Sequence, residues 1–117
     1  MRQLLKYSVD IHSSIKVINV VGSINVVTSM KLINIVNLLT SQESIILNFE
    51  SVELVTVAGL ESLTDVSMNA RESGKRVVLL NASFEFKKLA EALDYYRFLI
   101  FADSLDEAVT KINFFTD

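Results

Sequence analysis

There is no cysteine, no proline and no tryptophan among these 117 residues, and only three glycines and one histidine. The missing cysteine excludes disulfides and thiolate metal sites, and leaves the redox compartment open. With no proline and no Gly/Ser-rich tract, nothing marks a linker, and residues 1–117 read as a single domain long enough to bury a core. The glycines stand at 22, 59 and 74, without the spacing of a phosphate loop. His12 falls in the expected turn His12-Ser13-Ser14, where a solvated ring is the ordinary reading. A nucleophile needs a base beside it, and none is in view. The chain therefore reads as no enzyme, with no cofactor required.

Long apolar runs are also missing. Half of the residues are hydrophobic and the mean hydropathy is +0.40, yet the longest runs are strand-sized, such as Val77-Val78-Leu79-Leu80. A spanning helix needs roughly 20 apolar residues. No charged segment leads into an apolar signal core, so the expected location is cytoplasmic, without direct membrane insertion. The net charge of −3 and pI near 5.1 argue against nucleic acid as a partner. The apolar excess points to an exposed contact patch. Asp103, Asp106 and Glu107 form the densest carboxylate group, better explained by helix capping than by a metal. Tyr95-Tyr96-Arg97 reads as a loop whose aromatics partly cover the core, with a recognition patch as the alternative.

Periodicity gives the elements that are present. Strands are expected at Leu4–Ile11 and Ile15–Val21, the second ended by Gly22. A helix opens near Thr28 and runs to about Leu39, with Leu32, Ile35, Val36 and Leu39 on one stripe. Ile45–Phe49 is almost wholly apolar, as befits a strand covered on both faces. A second helix follows Ala58, with Leu60, Leu63, Val66, Ser67 and Ala70 inward and Gly74 as its C′ residue. Val77–Leu80 is the next strand, and Phe86, Leu89, Ala90 and Leu93 mark a third helix. Phe98–Phe101 is a short strand, and Ser104-Leu105-Asp106-Glu107 is a capping box opening a last helix. The order is β-β-α-β-α-β-α-β-α, an α/β domain with a mixed, mostly parallel sheet of four to five strands and four or more helices.

The mouth of the second helix is the natural place for function, because the first amides of a helix are unpaired and partially positive. The residue before Gly59 is Ala58, which has no hydroxyl. From Val17 to about Ile112 the pattern resembles a STAS domain, the fold of bacterial anti-sigma factor antagonists and of the cytoplasmic tails of sulfate transporters. Val20-Val21-Gly22-Ser23-Ile24-Asn25 resembles a strand ending in Gly-x-Leu/Ile-Asp, and Asn48-Phe49-Glu50-Ser51-Val52 resembles Asp-Leu-Ser-x-Val. Thr56-Val57-Ala58-Gly59-Leu60 stands where the family has Asp-Ser-Ser-Gly-Leu. Gly74-Lys75-Arg76-Val77 and Phe101-Ala102-Asp103-Ser104-Leu105-Asp106-Glu107-Ala108 resemble the start of the next strand and the closing strand and helix.

The resemblance implies transcription regulation by binding an anti-sigma factor that is also a serine kinase. Phosphate on the serine before the glycine would block that binding by charge and bulk. Here Ala58 replaces that serine, Thr56 and Val57 replace the preceding Asp and Ser, and Asn25 and Asn48 replace two aspartates. The expected partner surface is Gly22, Ser23, Asn25, Val52–Leu60 (with Thr56, Val57, Ala58 and Gly59) and the outward residues Glu61, Ser62 and Asp65. Thr56 is either a substitute phosphosite or an N-cap. Two other readings stand beside this one: an accessory subunit of a lipid or anion transport system, and a homodimer formed through an open sheet edge.

Overall fold

The computed structural model describes residues 5–115. Strand β1 (Lys6–His12) and strand β2 (Ile15–Ile24) form an antiparallel hairpin. Its turn is Ser13-Ser14, with φ of 52° and 67°. Two consecutive positive φ values match the twist of a two-residue hairpin. His12 closes β1 opposite Ile15 instead of lying in the turn, and the expected start at Leu4 lies outside the described residues. Helix α1 (Ser29–Thr40) leads to strand β3 (Ile45–Val55), helix α2 (Val57–Glu72) to strand β4 (Val77–Leu80), and helix α3 (Phe84–Ala92) to strand β5 (Ile100–Ala102). Helix α4 (Leu105–Phe115) follows. The sheet order is β1-β2-β3-β4-β5, parallel from β2 onward.

The core follows from strand alternation. Ile18, Val20, Ile45, Leu47, Phe49, Val77, Leu79 and Phe101 face α1, α2 and α3. Val17, Ile46, Val78, Leu80 and Ala102 face α4 through Ala108 and Ile112. Each fully buried large side chain contributes roughly 1.5–3 kcal/mol, so this double burial anchors the domain. The expected inward residues of α2 are all buried, and Gly74 has a φ of 75° past its end. On α1, Leu32 and Val36 are buried and Ile35 and Leu39 half-buried; on α3 only Phe86 and Ala90 of the expected stripe are buried.

Several expected boundaries are corrected. β2 does not end at Gly22 but passes through it at a φ of 115° and reaches Ile24. β3 does not end at Phe49 but runs 11 residues to Val55. It stays paired with β2 across two irregularities: Phe49 and Glu50 oppose Val20, and Glu53 is extra between Val52 and Leu54. Phe98 closes a 3₁₀ turn, Tyr96–Phe98, so the last strand starts at Ile100. α2 starts at Val57, ahead of Ala58. In the capping box the Ser104 hydroxyl accepts from the Glu107 N–H at 3.1 Å, but the Glu107 carboxylate reaches the Asp103 N–H, one residue further back, at 2.7 Å.

Candidate functional site

Parallel neighbours β2 and β3 deliver their C-terminal ends to one rim of the sheet, and α1 and α2 begin there. Ligands and partners of open α/β sheets gather at such a rim. The two connections are stitched together at one atom. The Ile24 carbonyl accepts from the Thr56 N–H at 3.0 Å and from the Thr56 hydroxyl at 3.4 Å.

Thr56 is the N-cap of α2. Its backbone is extended (φ −81°, ψ 170°) and its Oγ1 accepts from the Gly59 N–H at 3.1 Å. That satisfies one of the unpaired amides of the helix start, a contribution of about 1 kcal/mol. The N–H groups of Val57 and Ala58 have no partner among the described residues. Gly59 is needed for space: a Cβ there would collide with the Ile24 carbonyl and sit 2.9 Å from Ile24 Cγ2. The glycine lets α2 press directly on the end of β2.

The α1 mouth is built differently. Thr28 occupies the N-cap position, but its hydroxyl donates to the Ser23 carbonyl at 2.6 Å and caps nothing. Asn25 holds the turn into α1: its Oδ1 accepts from the N–H groups of Val27 and Thr28, both at 2.9 Å, and its carbonyl accepts from the Ser29 N–H at 2.9 Å. This turn leaves Val26, Val27 and Met30 outside, with exposures of 68%, 77% and 65%. Val57 is 47% exposed on the neighbouring mouth, and Ala58 is half-buried.

The expected surface residues divide accordingly. Gly22, Asn25, Val52, Thr56, Ala58 and Ser62 are partly accessible, and Glu53, Leu54, Val57, Glu61 and Asp65 are exposed. Ser23, Val55, Gly59 and Leu60 are buried and shape the surface from beneath. Ser62 Oγ donates to Ser29 Oγ at 3.3 Å, linking α2 to α1. Val26, Val27 and Met30 were not singled out by sequence. Their signal is that all three are apolar yet fall off the Leu32–Val36 stripe. Tyr95 packs against the core and its hydroxyl donates to Glu61 at 3.4 Å, while Tyr96 stacks on Phe101 at 5.0 Å and stays half open.

A polar row also crosses the sheet. Asn81 Nδ2 donates to Asn48 Oδ1 (3.2 Å), Asn48 Nδ2 to Asn19 Oδ1 (2.9 Å), and Asn19 Nδ2 to Asp10 Oδ2 (2.8 Å). The row joins β1, β2, β3 and the residue after β4. Among the described residues no group of three metal-ligating side chains gathers, and no helix is long and apolar enough to cross a membrane.

The STAS domain family model matches residues 6–108, and the chain belongs to that family. The fold is that of an anti-sigma factor antagonist from Mycobacterium paratuberculosis (20% identity, 93% of this chain and 94% of that one, TM-score 0.73). It is also that of the anti-sigma factor antagonist SpoIIAA in its unphosphorylated form (18% identity, 92% and 98%, TM-score 0.68). A murine anion transporter, Solute Carrier 26 family member A9, carries a similar domain (12% identity, 96% of this chain and 22% of that one, TM-score 0.71). No match was found among curated proteins.

Proposed function

We propose that this chain is a non-catalytic protein-interaction domain that binds a partner of the anti-sigma factor and serine-kinase class at the rim where α1 and α2 begin, and that it lacks the usual phosphorylation switch. The observation that carries this reading is Ala58 at the α2 mouth, bordered by exposed Val57 and accompanied at the same rim by Val26, Val27 and Met30. A side chain without a hydroxyl accepts no phosphate, so the mouth keeps an uncharged surface and binding stays on. The Thr56 hydroxyl is engaged as a cap, which supports its structural role over a substitute phosphosite. The apolar side chains supply the desolvated centre that protein interfaces need.

The test has two arms. Tagged wild-type chain and its Val57→Asp and Ala58→Glu variants are compared for capture of the partner from the source cell. Both variants should lose capture while keeping the wild-type circular dichroism spectrum; a lost fold would mean these residues are structural. Incubation with ATP and the captured kinase, followed by mass spectrometry, should find no phosphate on Thr56, and phosphate there would overturn the claim that the switch is gone. Recovery with a membrane permease instead of a soluble partner would favour the transport-accessory reading.

A further inference from the structure

The start of β3, Ile45–Asn48, has a neighbouring strand on each side, but the rest does not among the described residues. β4 pairs with Ile45–Asn48 alone, whereas β3 continues to Val55. From Phe49 onward the strand is paired, among the described residues, only toward β2, and the Glu50 N–H is taken by Asn48 Oδ1 at 3.1 Å. On the unpaired side lies a groove of about 380 Å³, between Glu53, Leu54 and Val55 of the strand and Glu85, Phe86 and Leu89 of α3.

An open strand edge is a template for another strand, and proteins normally blunt such edges. β5 is blunted by length, at three residues, and the outer edge of β1 by Lys6 and Asp10. The β3 edge is longer than β5 and adjoins a concave, partly apolar wall, with Leu54 59% exposed. Two carboxylates, Glu53 and Glu85, line the same groove, and neither is in an ion pair among the described residues.

We propose that the Phe49–Val55 edge accepts an extended segment of a partner protein by strand addition, and that this segment alternates apolar residues with lysine or arginine. Main-chain hydrogen bonds to the edge would supply affinity, and alternate side chains would meet the Leu54–Phe86–Leu89 wall and the two carboxylates. A second copy of this chain fits poorly, because its own edge would bring Glu50 and Glu53 against the same carboxylates. This edge is a second surface, and the proposal does not depend on what binds at the α2 mouth.

The test is selection of a phage-displayed library of random linear peptides on the immobilised full chain, with the Glu53→Lys/Glu85→Lys double variant as counter-target. Both positions are exposed, so the variant should keep its circular dichroism spectrum. The expected result is enrichment of basic, β-branched peptides that bind the variant about tenfold more weakly or worse. In ¹⁵N–¹H spectra these peptides should shift the amides of 49–55 and 83–89. The proposal is overturned by absence of enrichment, by equal binding to the variant, or by shifts confined to 26–30 and 57–58. It is also overturned if light scattering finds a wild-type dimer that the variant abolishes, which would make a second copy the occupant.

Discussion

The two halves of β3 share one strand and little else. Ile45–Phe49 is apolar but for Asn48, has both neighbouring strands over most of its length and packs under helices on both faces. Glu50–Val55 keeps one neighbour, crosses two irregular pairings and exposes Glu53 and Leu54. The first half supports the core. The second half carries the chain out of the core to the α2 mouth, and its loose lateral support leaves edge and side chains free for contact. Burial and availability are thus separated along a single strand.

Six substitutions at five positions probe that separation and the helix mouths beyond it. The largest effect is expected from the buried half: Leu47→Ala should lower the unfolding free energy by about 2–5 kcal/mol, while Leu54→Ala should change it by about 0.5 kcal/mol or less. Urea denaturation of both variants decides it, and equal losses would break the comparison. Gly59→Ala comes next, because its Cβ meets backbone that cannot swing away; a loss of about 1–3 kcal/mol is expected, read by the same denaturation. Thr56→Ala should cost about 1 kcal/mol through the lost cap, and Thr56→Ser should restore it. The smallest effect lies at the α4 mouth. The Asp103 N–H, then the Lys111 ammonium, hold the Glu107 carboxyl below its ordinary range despite partial burial and the Asp103 charge. A carboxyl lowered in the folded state stabilises above its unfolded pKa and loses that contribution as pH falls through the folded value. Wild type and Glu107→Gln should therefore differ slightly near neutrality and converge in acid. Thermal melts across that pH series check it, and a difference that grows in acid would contradict the assignment.

Much of this was legible in the amino-acid sequence, for definite reasons. Ile45–Phe49 and Val77–Leu80 are buried on both faces, so their apolar runs announce strands. The α2 stripe and Gly74 follow from a helical period and a left-handed stop. The extension of β3 was hidden because Glu50 and Glu53 break the apolar run, and only pairing with β2 keeps those residues extended. The passage of β2 through Gly22 was hidden because glycine reads as a stop. At the α1 mouth, Thr28 advertises a cap, but its hydroxyl reaches back to the Ser23 carbonyl, and Asn25 closes the turn ahead of the helix by accepting from the Val27 and Thr28 N–H groups. Val26, Val27 and Met30 are apolar but off the Leu32–Val36 stripe, and the turn sets them outside. Ser23 looks like surface until β2 is extended over it.

The asparagine row carries a consequence for alignment. Its partners are separated by 9, 29 and 33 positions in sequence and meet only if four segments lie level with one another. Slipping β3 by one residue would turn Asn48 to the opposite face and break two links at once. A carboxylate only accepts, so it can end such a chain, as Asp10 does; an amide donates and accepts, so it can stand in the middle. Asn48 stands in the middle of the row, and there its amide acts as a vernier mark for the register of the sheet.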